Sequence, residues 1–407
     1  VGTNSRKVKL TFLFFLLVPL LTGCWDSREI EERAVVLAMG IDKAPNEEEE
    51  EGEIAHLKGK FPTPKEGMIK LSAQIAVPGR IPLGPQTGGG GNGEQKSVVV
   101  IHVVGHTIED AMLNLQQEVA DELFLGHLRI IVLSEEMAKN GTQRFNDYLK
   151  RNPQIRRTAS FVVSKEKASK YMDASPELEP VPALYLAAMV ENLVMLGKFP
   201  HSFIGLFWSI LSSKGQDGYL PYLDIKEDGT IQISGLAYFR GDKMVGKTKP
   251  LEIGAYMAAI GEKTGGYGTF VEVPNTDEVV VVQPIKRRTK IKASLQNGKP
   301  HIFVKIYYES DIEEKENPDI TVKTAEDIRR IEKETEKSVD QAVSELISKT
   351  QKTRSDIFGY GEHFRAKFPD YWNKNVREKE NWEAIYENLS FDVKVKVNIR
   401  RAGMKAK

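Results

Sequence analysis

The chain has 407 residues, enough for two or three domains that each bury a core. With 41% of residues hydrophobic and 28% charged, composition excludes an intrinsically disordered chain. Lys+Arg and Asp+Glu balance at 57 each, so nothing basic in the total points to nucleic acid, and one cysteine excludes an internal disulfide framework or a cysteine-rich zinc site.

The first segment reads as an address. Arg6, Lys7 and Lys9 precede an apolar run, Leu10 to Leu21 (LTFLFFLLVPLL). That run has the length of a secretory leader and falls short of the about 20 residues that span a bilayer. Leu21-Thr22-Gly23-Cys24 then has the form of a bacterial lipobox. The expected chemistry is diacylglycerol transfer to the Cys24 thiol and cleavage before it, leaving a body held outside the cytoplasm by acyl chains. The competing reading is an uncleaved membrane helix with an incidental cysteine.

Strand patterns follow at Ala34–Ile41, Lys70–Val77 and Val98–Val104. They are separated by an acidic run (NEEEEEG, 46–52) and a Pro/Gly-rich stretch (78–94), both read as loops. Thr107, with Asp110 three residues on, caps a helix whose apolar stripe is Ile108, Ala111, Leu115, Val119 and Leu123. Leu128–Leu133 and Thr158–Val163 read as strands, Gln143–Lys150 and Pro182–Leu196 as helices. Strands alternating with helices predict a mixed sheet with helices packed on it.

A second region, 196–275, holds an aromatic stretch and paired strand patterns around Ile231–Val245. In the third region, Asn297-Gly298 between two strand patterns predicts a type I′ hairpin. Thr324 and Asp327 cap a long helix with the stripe Ile328, Ile331, Thr335, Val339, Ala342, Val343 and Leu346, and with Glu326–Arg330 and Glu345–Lys349 pairs. Trp382, Ile385, Tyr386 and Leu389 mark another helical face. The closing strand, Phe391–Ile399, has one apolar face and is expected to pair with the Asn297 hairpin. The fold class is therefore α+β, as three mixed α/β domains: residues 24–195, 196–275 and 276–407, after a leader of 1–23.

Several stretches imitate active sites. GDKMVGKT (Gly241–Thr248) matches the phosphate-cradling pattern G-x-x-x-x-G-K-[ST]. A working cradle opens a helix at its Gly-Lys-Thr, however, and here Pro250 follows two residues later. Gly241-Asp242 is better read as a hairpin turn. Ser164-x-x-Lys167 with Lys263-Thr264-Gly265 echoes penicillin-binding enzymes, but the Ser-Asp-Asn element is missing, and Ser164 is expected to cap a helix. His102 and His106 straddle a strand end without metal-ligand spacing. Arg151, Arg156 and Arg157 read as surface charge or as contacts for a partner's acids. The basic run Lys286–Lys292 reads as a solvated strand face, or as a contact for anionic headgroups near the anchor.

A family resemblance joins these parts. Cys24 followed by Trp25-Asp26, Glu29-Ile30 and a strand ending in Gly40-Ile41-Asp42 resembles the opening of the C subunits of spore germinant receptors, the Ger(x)C lipoproteins. The stretches GHLRIIVLSEEMAKNG (126–141), YLKRNPQIRRTASFVV (148–163) and SGLAYFRGDKMVGK (234–247) continue it. Gln351, DIFGYGEHFRAKFPDYW (356–372) and Trp382 complete it. The resemblance implies a lipoprotein without enzymatic activity or cofactor, on the outer face of the spore inner membrane. It also implies partnership with integral-membrane A and B subunits in a nutrient-triggered complex; whether this subunit touches the nutrient is open. The alternative is a lipid-anchored extracytoplasmic solute-binding protein or exported enzyme.

Overall fold

The computed structural model describes residues 30–44, 67–77, 96–174, 179, 181–261, 267–273, 279–315, 322 and 324–402. Cys24, the acidic run, the Pro/Gly-rich stretch and Lys263–Gly265 lie outside them. The described residues form an α+β fold on two sheets.

The first sheet uses β1 (Arg33–Lys43), β2 (Ile69–Ala76), β3 (Val98–Gly105), β4 (Glu122–Phe124), β5 (Ile130–Ser134), β6 (Ser160–Ser164), β7 (Tyr219–Ile225), β8 (Ile231–Arg240) and β9 (Lys243–Lys247). Their order is β3-β2-β1-β5-β6-β7-β8-β9, with β4 beside the start of β1. Strands β1, β5, β6 and β7 run parallel at the centre, and the flanking pairs are antiparallel. A parallel centre is covered on both faces, which is why IIVLS and SFVVS are buried along their whole length instead of alternating.

The helices on one face include α1 (Ile108–Glu118), α2 (Glu135–Asn140), α3 (Gln143–Arg151) and α6 (Ile204–Leu211). On the other lie α4 (Ala168–Asp173) and α5 (Pro182–Met195). The Thr107 cap forms as expected, its hydroxyl accepting from Asp110 N at 3.1 Å. The predicted stripe is cut short. The helix stops at Glu118, and Leu123 belongs to β4. Gln116 makes the stop: its amide donates to Asp121 O (2.9 Å) and accepts from Leu123 N (3.0 Å), satisfying backbone that a longer helix would have satisfied itself.

The second sheet runs β10 (Thr269–Glu272), β11 (Val279–Gln296), β12 (Lys299–Lys315) and β13 (Ser390–Ala402), in that order. The β11–β12 turn has φ of 51° at Asn297 and 76° at Gly298, as a type I′ turn requires. Strand β13 lies parallel to β12. The inward face, with Ile302, Val304, Ile306 and Val397, packs under α7 (Glu252–Ile260), α8 (Ala325–Gln351) and α9 (Tyr360–Lys367). Each such aliphatic side chain contributes about 1.5–3 kcal/mol on burial.

Helix α8 carries its capping box, with Thr324 N donating to Asp327 Oδ2 at 3.1 Å, and the Glu326–Arg330 pair at 2.6 Å. The Glu345–Lys349 pair does not form. Lys349 reaches Glu252 on α7 instead (2.7 Å), and Glu345 accepts from Gln341. Ala342, counted in the apolar stripe, is exposed. On the other flank, Glu336 and Glu332 accept from the backbone N–H groups of Val397 (3.0 Å) and Ile399 (2.8 Å) along the free edge of β13.

The segment 196–275 is shared between the sheets. Helix α6 and strands β7–β9 complete the first, while α7 and β10 pack with the second.

Candidate functional site

GDKMVGKT forms the end of one hairpin. Gly241 takes φ 57°, and Asp242 turns the chain and docks on α3, its carboxylate accepting from Gln143 N at 3.0 Å. Thr248 stays beside β8: its N–H donates to Leu236 O (2.8 Å), and its hydroxyl accepts from Leu236 N (2.9 Å). A helix does follow, but α7 opens at Glu252, beyond Pro250, where the Glu252 carboxylate accepts from Lys249 N (2.7 Å) in the preceding turn.

Lys247 lies 4.1 Å over the Tyr222 ring, 2.7 Å from its hydroxyl and 3.5 Å from Glu135. Burial alone would raise the Glu135 pKa, but Lys139, Tyr222 and Lys247 outweigh it and hold the carboxyl below its usual range. The lysine is thus a half-exposed surface clasp. Lys247→Ala is expected to cost about 1 kcal/mol in thermal unfolding. ATP binding by the parent protein that disappears in this variant would restore the nucleotide reading.

The other imitations also resolve. Ser164 does not cap α4. Its hydroxyl donates to Glu166 O (2.9 Å), and Asp42 caps the helix by accepting from Ala168 N (2.6 Å) and Ser169 N (2.9 Å). His102 bonds Ser72 at 2.7 Å, whereas His106 lies 3.8 Å from Asp110. Among the described residues no group of three His, Cys, Asp or Glu could hold a metal. Arg151 pairs with Asp147 on its own helix (3.1 Å), while Arg156 and Arg157 are exposed.

One buried polar site was missed by sequence reasoning. It joins the loop before β7 to the DIFGYGE stretch before α9. Asp217 and Asp356 are buried, at 1% and 0% exposure. They bind each other through backbone: Asp217 N donates to Asp356 O (2.8 Å), and Asp356 N donates to the Asp217 carboxylate (2.9 Å). The Asp217 carboxylate also accepts from Gly241 N (3.1 Å) and meets Lys379 at 3.1 Å, at the start of α10 (Lys379–Glu387). The Asp356 carboxylate accepts three N–H groups: Tyr360 (3.2 Å), Gly361 (2.8 Å) and the Trp382 indole (2.9 Å).

Two glycines let these loops touch. A Cβ on Gly215 would fall 2.4 Å from the Gly361 carbonyl carbon, and one on Gly361 would fall 2.4 Å from the Trp382 ring nitrogen. Glu362 closes the contact, accepting from Gly215 N (2.7 Å) and Ser213 Oγ (2.5 Å). Phe364 and Trp372 flank Trp382 at ring distances of 5.9 and 5.4 Å. Gln351 holds the far end of α10, donating to Tyr386 O (3.0 Å) and Leu389 O (2.7 Å).

Burial pushes Asp356 up to about 7 and also raises Asp217, against which Lys379 pulls down. Every one of these carboxylate oxygens is engaged by a fixed donor. The arrangement therefore positions two halves of the chain against each other.

Comparisons with known proteins divide the chain between β7 and β8, inside the first sheet. The family description "Spore germination protein N-terminal domain" matches residues 26–225, and "Spore germination B3/GerAC like, C-terminal" matches residues 234–403. The joint bridges them, with Asp217 in one and Asp356 in the other. Spore germination protein KC of Bacillus subtilis (strain 168) is 27% identical over 98% of this chain and 97% of its own. Putative spore germination protein YfkR of the same strain is 28% identical, with 98% of each chain covered. The crystal structure of the GerBC protein superposes with TM-score 0.51 and 18% identity, over 83% of this chain and 95% of that one, which shows a shared fold.

Proposed function

Since the chain belongs to the GerAC-like, or Ger(x)C, family of spore germination proteins, we propose that it is a lipid-anchored, non-catalytic subunit of a nutrient germinant receptor. On this reading Cys24 carries the acyl chains, the body sits on the outer face of the spore inner membrane, and integral-membrane A and B subunits are its partners. The observation that carries the reading is the match of two consecutive family regions, in order, across residues 26–403.

Two structural features support it. The buried polar site around Asp217 and Asp356 has its carboxylates fixed by backbone, indole and lysine donors, as befits a scaffold. The GDKMVGKT turn is a packing element against α3. No helix among the described residues is long and apolar enough to cross a membrane. On this reading the anchor also raises the local concentration of the body near its partners.

Gentle detergent extraction of spore membranes followed by pull-down of the tagged chain tests the reading. Multi-spanning receptor subunits are expected to co-purify. Recovery of the chain alone, together with tight calorimetric binding of an amino acid or sugar, would assign it to solute binding instead.

A further inference from the structure

The outward face of the second sheet places like charges side by side. Lys290 on β11 pairs with Lys305 on β12, and Lys305 pairs with Lys394 on β13. All three are exposed. The next row is Arg288, Tyr307 and Lys396. Directly opposed side chains in a sheet sit about 5 Å apart, and like charges so placed oppose folding.

Nearby acids form their ion pairs elsewhere, although Asp392 shares a hollow with the lysine row. Asp392 faces His301 (3.2 Å), and Glu309 holds Lys286 (3.5 Å) and Arg400 (3.2 Å). Glu336 on α8 pairs with Lys396 (3.0 Å). Among the described residues no carboxylate pairs with Lys290, Lys305 or Lys394. Most of the helix packing lies on the opposite face, with α8 reaching round the β13 edge to Lys394 and Lys396. Lys290, Lys305 and Lys394 thus line an open cationic hollow that also holds Asp392, and Tyr307, 44% exposed, stands in the next row.

Such an array fits an anionic surface whose charged groups can enter the hollow. A protein interface centres on an apolar patch depleted in charge, whereas the centre here is Lys305. Long lysine stems and an amphipathic tyrosine ring suit the headgroup level of a bilayer. We propose that this face is a second membrane contact, seated on anionic phospholipid headgroups. Its occupant rests on the membrane setting proposed above, but its chemistry is independent of Cys24.

The test uses the full chain with Cys24→Ala, which removes acylation, and vesicles of phosphatidylcholine with or without phosphatidylglycerol. The readout is the binding that phosphatidylglycerol adds. That increment is expected to be clear, to fall with salt, and to weaken about a hundredfold in Lys290→Gln/Lys305→Gln/Lys394→Gln. The triple variant should unfold at the same or a higher temperature, since a repulsion is relieved. Lys305→Gln alone should weaken the increment about fivefold.

Equal binding to both vesicles, or an unchanged increment in the triple variant, would overturn the proposal. So would a triple variant that keeps the increment but loses its receptor partners in pull-down, which would give the face to an acidic protein. None of these outcomes bears on acyl anchoring, which is read with Cys24 intact.

Discussion

Asp356→Ala is expected to destabilise the protein by about 3–5 kcal/mol, the range for removing one partner from a fully buried polar network. The variant leaves the N–H groups of Tyr360, Gly361 and Trp382 facing a space without an acceptor. A lower urea midpoint at unchanged slope would measure the loss; a change below about 1 kcal/mol would show that the joint is not what holds the halves together. Asp356→Asn gives a second reading, because only the aspartate titrates. Its carboxyl is held up to about 7 in the folded chain by burial, against about 3.9 when unfolded. The folded state therefore binds more protons between those values, and stability from this group falls as pH rises from about 4 to about 7. The advantage of the parent over Asp356→Asn should be largest in acid and shrink toward neutrality. A difference that grows with pH would reverse the assignment.

Cys24→Ala should move the protein out of the membrane fraction of spores when extraction is done in high salt, where a charged sheet face no longer holds it. Acyl burial supplies about 0.8 kcal/mol per methylene, so on the proposed reading loss of the chains removes the dominant attachment. Nutrient-triggered germination should slow roughly tenfold or more, because the partners then meet the body only at its bulk concentration. Normal retention together with normal germination would remove Cys24 from the account.

Local chemistry was legible in the sequence wherever one short stretch decides its own geometry. Thr107 and Thr324 announce caps, Asn297-Gly298 announces its turn, and the alternation of Phe391–Ile399 announces a strand with one buried face. Family motifs were legible for the same reason. What stayed hidden depends on distance along the chain. Nothing in SSKGQDG marks Asp217 as the partner of an aspartate 139 residues away. The runs Ile204–Leu211 and Glu252–Ile260 are short and apolar, a composition that suits a buried strand as well as a helix. Their helical state is fixed by the sheets they cover. The basic run before Asn297 could be read as solvated or as functional, since only the β12 and β13 registers show lysines meeting lysines across it.

The two glutamates of α8 along the last strand have a further consequence. An open strand edge invites a neighbouring molecule to add its own strand, and identical chains crowded at one surface meet often. With Val397 and Ile399 already bonded to Glu336 and Glu332, this part of the edge offers no free donor at those two residues for strand addition. Copies packed side by side can thus stay separate particles rather than fuse into a fibre, and the sheet remains free to be used through its broad face.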